Sequence, residues 1–336
     1  MNLSIDKIRE ITTGASRIEE HSGEICFFRY TKAQDERYRI RNPEFHHRSM
    51  GTAGIKLCFD TDSENLHLNI VTCPSGTRKI FSLDVLVNGE AIGYIDNFEG
   101  CNLDNYVALD VPDGEFSKSF YLGKGIKRVC IRLPWNKITS IKELSLDDGA
   151  FAKGVKSEKI LLAFGDSITQ GYDALRPSDR YASRLAEALG ADEYNKAIGG
   201  DIFFPDLAAL RDDFDPDFIT VAYGTNDWSH TSEEEFKINC RGFYKNLAEN
   251  YPNAKIFAIT PIWRADYKDY RAFGAFERVS ADIIEATKDL GNVTVIEGFN
   301  FVPHDTALFS DNYLHPNSNG FEFYFNSLYE EIKKHI

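Results

Sequence analysis

Between residues 158 and 336, short strand-like runs alternate with stretches of helical period, and few folds tolerate that alternation. The run 160–164 is five consecutive apolar residues, the mark of a strand covered on both faces. Further strand candidates lie at 193–198, 218–223, 255–260 and 293–296. Phe236, Cys240, Phe243 and Leu247 mark one helical face between them, with Ser232 and Glu235 placed as a capping box. Phe276, Val279, Ile283 and Leu290 mark a second face, and Phe321, Phe325, Leu328 and Ile332 a closing helix. Such βαβ repetition predicts a parallel sheet with helices on both faces.

The chain before this region reads differently. Leu57, Phe59, Leu66, Leu68 and Ile70 alternate with polar neighbours, as do Phe81, Leu83, Val85 and Val87. Asn88-Gly89 follows as a hairpin turn, and Val129, Ile131 and Leu133 alternate again. Residues 1 to about 150 therefore read as strands and turns, an all-β sandwich of jelly-roll type. A polar stretch at 149–157 places the boundary, giving a β-sandwich domain over 1–150 and an α/β domain over 151–336. A chain of 336 residues is long enough for both cores.

The net charge of −14 argues against nucleic acid or an anionic membrane surface as partner. No run approaches the ~18 apolar residues of a membrane span. The first residues lack the apolar core of a signal peptide, so the expected location is cytoplasmic unless a leader has been removed. The six cysteines show no C-x-x-C spacing. They are expected as buried free thiols, without a disulfide framework or zinc site. His46 and His47 are expected at the surface, and no metal or other cofactor is expected.

In a parallel sheet of this kind the site lies outside the carboxyl ends of the strands. Gly165-Asp166-Ser167 follows the first strand. After the second comes Asn195, then Gly199-Gly200-Asp201. Gly224-Thr225-Asn226-Asp227-Trp228 follows the third, Pro261-Ile262-Trp263-Arg264 the fourth, and Asp311-Asn312-Tyr313-Leu314-His315-Pro316 lies beyond the fifth. An isolated Gly-Asp-Ser is more often a helix cap than a nucleophile. Convergence with a histidine, an asparagine and close-approach glycines on one sheet edge reverses that preference.

The four blocks that hold Ser167, Gly200, Asn226 and His315, in this order, resemble the GDSL or SGNH hydrolase family over about residues 158–336. The whole chain resembles the two-domain carbohydrate esterases, in which a jelly-roll domain precedes the SGNH domain. The resemblance implies a flavodoxin-like three-layer α/β/α domain with a five-stranded parallel sheet. It further implies Ser167 as nucleophile and His315 as base and later acid. The oxyanion hole would combine the N–H groups of Ser167 and Gly200 with the Asn226 amide; Gly199 competes with Gly200, which the spacing from Asn195 favours. Asp166 and Asp227 are expected to fix loops. The family places an aspartate three residues before the histidine, where this chain has Asn312. Either Asp311 orients His315, the reading favoured here, or a Ser-His dyad works with Asn312 or a backbone carbonyl.

Tyr172, Trp228, His230, Trp263 and Arg264 follow the motif strands and are the candidates for lining a substrate pocket. The segment 266–274 reads as an ordinary loop rather than a lid. The expected function is a serine esterase releasing a short acyl group, acetyl by preference, from a hydroxyl of a carbohydrate or related small molecule. A lysophospholipase or thioesterase is the alternative within enzymes. A non-catalytic carbohydrate-binding protein is the alternative of another class. The expected partner is a small acyl ester such as an acetylated sugar, with no nucleic acid and no membrane; a homo-oligomer stays open.

Overall fold

The structure, a computed structural model, describes residues 1–336. The first region runs α1 (Ile5–Ile11), β1 (Thr12–Thr13), β2 (Arg17–His21), β3 (Glu24–Phe28), α2 (Lys32–Arg41), α3 (Pro43–Ser49), β4 (Lys56–Thr61), β5 (Asn65–Pro74), β6 (Ser82–Val87), β7 (Glu90–Asp96), β8 (Glu115–Tyr121), β9 (Lys127–Arg132), β10 (Lys137–Leu146) and β11 (Lys153–Gly154). The second runs β12 (Lys159–Gly165), α4 (Ser167–Gln170), α5 (Tyr181–Ala188), β13 (Ala191–Asn195), α6 (Pro205–Ala208), β14 (Phe218–Ala222), α7 (Thr225–His230), α8 (Glu233–Asn250), β15 (Lys255–Ile259), α9 (Glu277–Thr287), β16 (Val293–Ile296) and α10 (Ser318–Ile332). No helix is long and apolar enough to cross a membrane.

The antiparallel strands form two sheets, β1-β4-β9-β6-β7 with β11 on β4, and β2-β3-β10-β5-β8. Their inward residues, among them Leu57, Phe59, Leu68, Val85, Val129 and Ile131, make one buried core. This is the sandwich that period-two alternation predicts. Its last pairing, Lys153 and Gly154 against Asp60 and Phe59, lies past residue 150.

The second region holds a wholly parallel sheet, β13-β12-β14-β15-β16. Successive β12 residues face opposite ways. Leu162 and Phe164 join a core with α6, α8 and α9, while Leu161 joins a second core with α5 and α10. The sequence order reverses at β12, where β13 lies on one side and β14 on the other, the switch point at which sites form in open α/β sheets. Two boundaries differ from expectation: β13 ends at Asn195, and α9 ends at Thr287, leaving Leu290 beyond the helix although still packed on the core.

The first region departs from the expectation of strands and free thiols in its helices and in a disulfide. Thr31 and Gln34 form a reciprocal capping box that starts α2. Asn42 then ends α2 and caps α3, with Pro43 in its first turn. This helical hairpin leaves the sandwich and packs on the parallel-sheet domain, where Tyr38 joins the core beside α6 and α8. Cys58 and Cys130 form a disulfide rather than staying free. They are directly paired across β4 and β9, which brings their Cα atoms to 4.2 Å; register of this kind is invisible to sequence spacing. The cytoplasmic expectation rests partly on free thiols, and the disulfide withdraws that support.

The two regions meet through buried polar groups. Arg29, 1% exposed, reaches from the end of β3 to the carbonyls of Asn195 at 2.9 Å and Ala197 at 2.8 Å. Backbones also abut directly: a Cβ on Gly14 would stand 2.5 Å from the Gly54 carbonyl oxygen and 2.9 Å from that of Glu193 in β13. Only glycine permits that approach at φ +85°.

Candidate active site

Ser167 stands two residues past β12, at the first position of α4. Asp166 is the residue that caps this helix, accepting the Ile168 N–H at 2.9 Å. The helix therefore does not use the Ser167 hydroxyl as its cap. That hydroxyl lies 2.9 Å from His315 Nε2. On the other side of the ring, His315 Nδ1 lies 2.6 Å from Asp311 Oδ2. An ionised carboxylate only accepts, so the imidazole carries its proton on Nδ1 and leaves Nε2 free to accept from Ser167.

Asp311 is well built for that charge. Its Oδ1 accepts the backbone N–H groups of Tyr313, Leu314 and His315 at 3.1, 2.8 and 3.1 Å. Burial opposes ionisation, but the His315 ring and these backbone donors hold the carboxyl well below the usual range. Asn312 points elsewhere: it is exposed and adopts φ +61° at the tip of the turn. The extra residue in this loop thus moves the acidic partner one position earlier.

The loops after β13 and β14 are tied to the same place. Gly199 N–H donates to Gln170 Oε1 at 2.7 Å, joining the β13 loop to the helix that Ser167 begins. Asn226 Nδ2 donates to the Asp201 carbonyl at 3.1 Å, joining the third block to the second. The backbone N–H groups of Gly200 and Ser167 take no protein acceptor. Gly200 adopts φ +85°, a conformation that glycine holds without strain. Gly199 is thus occupied and Gly200 is available.

Residues 163–323 match the GDSL-like lipase/acylhydrolase family. They form an acylhydrolase domain. It is the domain of a carboxylic ester hydrolase. Among curated proteins none matches the chain. Among solved structures, a salicylyl-acyltransferase from a tetracycline biosynthetic pathway is 22% identical, with 96% of this chain and 94% of that chain covered and a TM-score of 0.81. A family two carbohydrate esterase from Cellvibrio japonicus is 17% identical over 99% and 97% of the two chains, with a TM-score of 0.67. An acetyl xylan esterase from the rumen bacterium Butyrivibrio proteoclasticus is 17% identical over 84% and 90%, with a TM-score of 0.59. All three share the fold of sandwich plus parallel-sheet domain.

Several residues expected around the acylhydrolase pocket serve the interior instead. Trp228 is 1% exposed, donates Nε1–H to the Gly274 carbonyl at 2.9 Å and packs against the guanidinium groups of Arg264 and Arg271. Arg264 gives its donors to Asp266 and to the Thr225 carbonyl, which removes it from substrate binding. Trp263 stacks on His304. His230 is exposed at the end of α7. Position after a strand places these residues near the rim, but their side chains follow the partners they find. Tyr172 does reach the catalytic edge: its ring lies 5.7 Å from that of His315 and 4.9 Å from that of Trp135 in the sandwich.

Two groups escaped the sequence reading. Asp173 is fully buried, with Oδ2 4.0 Å from His315 Nδ1. Arg78 of the sandwich grips it with two bonds of 2.6 and 2.9 Å, and the Ser310 hydroxyl donates to it. Arg48 of α3 donates Nη1–H to the Gly199 carbonyl at 2.7 Å. No local motif surrounds either arginine; only a helix-former at 48 and a turn at 78 are legible.

Asp227 fixes a loop, accepting the Phe203 N–H at 3.2 Å. Burial pushes its carboxyl up to about 8, against that hydrogen bond. The unfolded value is about 3.9. A proton held in the folded state but lost in the unfolded one stabilises the fold fully below the unfolded value, and this contribution disappears as pH rises through about 8. Asp227→Asn removes this pH-dependent contribution. Urea midpoints at pH 5 and pH 9 are expected to show the variant gaining on wild type at the higher pH; an equal gap at both would rule this out.

Proposed function

We propose that the chain is a serine esterase that removes short acyl groups, acetyl first among them, from hydroxyls of carbohydrates or similar small molecules. The observation that carries the reading is the unbroken relay from Ser167 Oγ through His315 to Asp311, at 2.9 and 2.6 Å. Ser167 Oγ attacks the ester carbonyl as its proton passes to His315 Nε2. Asp311 holds the imidazolium that forms. The N–H groups of Ser167 and Gly200 and the free Asn226 Nδ2 hydrogen take the negative charge on the carbonyl oxygen. His315 then protonates the departing alcohol, leaving Ser167 acylated. Water, deprotonated by His315, attacks the acyl-enzyme; collapse releases the acid and returns the proton to Ser167.

The acetyl and carbohydrate preference draws on the family two carbohydrate esterase and the acetyl xylan esterase among the structural neighbours. Hydrolysis of 4-nitrophenyl acetate, butyrate and octanoate tests it. Rates are expected to fall with chain length; preference for octanoate would move the reading to a lysophospholipase or thioesterase. A second reading, acyl transfer to an alcohol, is favoured by the whole-chain likeness to the salicylyl-acyltransferase. It predicts transesterified product when a sugar alcohol competes with water.

The two candidate loop partners of His315 separate by mutation. Asp311→Asn is expected to lower kcat by about 10²- to 10⁴-fold, because a neutral partner no longer fixes the tautomer or balances the imidazolium. Asn312→Gly, which keeps the positive φ without strain, is expected to stay within about twofold. Steady-state kinetics of the pair decides it, and the reverse ranking would restore the dyad with Asn312.

A further inference from the structure

We propose that Arg48, on α3 of the first region, is the positioning residue of the oxyanion hole: it fixes the one peptide plane that carries the Gly200 N–H. The inference rests on the reading of Gly200 given above and names the device that makes it work.

A trans peptide is planar, and its C=O and N–H point to opposite edges. The Gly199 carbonyl and the Gly200 N–H belong to the same plane. Arg48 Nη1 donates to that carbonyl at 2.7 Å, a charge-assisted bond. The opposite edge, with the Gly200 N–H, has no protein acceptor. Glycine stands on both sides of this peptide, so little besides hydrogen bonding opposes its rotation. Rotation by half a turn would present a carbonyl oxygen where an N–H is needed and would repel the developing negative charge. The preceding peptide is held separately, by Gln170 Oε1 on the Gly199 N–H at 2.7 Å.

The guanidinium is itself held. Its Nη2 pairs with Glu44 one turn earlier on α3. Arg48 Nη1 would stand 3.0 Å from a Cβ on Gly200, so the charge lies against the peptide it orients. A donor on the carbonyl also polarises the amide and strengthens its N–H as a donor. Arg48 never touches the reacting atoms in this scheme; it acts through the backbone.

The test is steady-state hydrolysis of 4-nitrophenyl acetate by wild type, Ser167→Ala, Arg48→Met and Arg48→Lys, with the inhibition constant of a trifluoromethyl ketone measured for all but Ser167→Ala. Arg48→Met is expected to lose about 10- to 100-fold in kcat with KM within about twofold, and ketone affinity is expected to fall in parallel, since the hemiketal oxyanion uses the same donors. Arg48→Lys is expected to recover part of both, because an ammonium can donate to the same carbonyl. Arg48→Ala, measured in the same way, is the informative variant if Arg48→Met fails to fold. A kcat within twofold of wild type in Arg48→Met or, should that variant not fold, in Arg48→Ala overturns the proposal. So does a rise in KM alone, which would mean direct substrate binding, or a kcat loss with unchanged ketone affinity. Full activity in Ser167→Ala would overturn the esterase reading and the proposal together.

Discussion

Ser167→Ala is expected to lower kcat for 4-nitrophenyl acetate by about 10⁴- to 10⁶-fold, leaving only the background that an intact oxyanion hole and binding provide. The size follows from position. Ser167 Oγ is the hydroxyl 2.9 Å from His315 Nε2, and no other side chain takes its place on that nitrogen. The fold is expected to be nearly unaffected. Asp166 caps α4, so alanine at 167 removes no cap, and loss of one hydrogen bond costs about 1 kcal/mol. A fluorophosphonate probe is expected to label wild type and not the variant. More than a tenth of wild-type activity in a folded variant would remove Ser167 from the role of nucleophile.

The largest expected stability effect lies away from the catalytic relay, at Lys196. Its ammonium is fully buried. It bonds Asp212 at 2.7 Å in the second region, and Ser16 and Gln34 at 3.0 Å each in the first. Lys196→Met strands the buried Asp212 carboxylate and is expected to cost about 3–5 kcal/mol. The thermal midpoint is expected to drop by on the order of 10 °C. Most of that penalty is the uncompensated charge, so Asp212→Asn added to Lys196→Met is expected to recover part of the loss. A single variant that melts within a degree of wild type would refute the argument.

The parallel sheet and the blocks at its strand ends were legible because they are written locally. A buried parallel strand such as 160–164 shows its apolar run in adjacent residues, and Ser167, Gly200 and Asn226 follow their strands at short range, while His315 is marked by its own local block, Asp311 to Pro316. The rule that sites gather at strand carboxyl ends then does the assembly. What escaped depends on pairing across long separations. Arg78 and Asp173 lie 95 residues apart, and Arg48 and Gly199 lie 151 apart. The Cys58–Cys130 bridge follows from the register of β4 on β9, which no spacing discloses. Trp228 and Arg264 sit where expected along the chain, yet their side chains turn toward each other. The capping box at Thr31 and the Asn42-Pro43 turn were local signals of α2 and α3 that strand alternation elsewhere obscured.

The close backbone approach at Gly14 and Gly54 has a consequence for solubility. β13 is the outermost strand of the parallel sheet on that side. An outer strand with a free row of N–H and C=O groups is a template on which the strand of another molecule can grow. Gly14 stands against Glu193, and a Cβ on Gly54 would meet the Asn195 side chain at 2.8 Å, so the sandwich occupies the approach a foreign strand would use. The second half of the chain, cut away from the first, would bare that strand along with the surface that Tyr30 and Tyr38 cover. The sandwich thereby covers an edge that the parallel sheet would otherwise leave open.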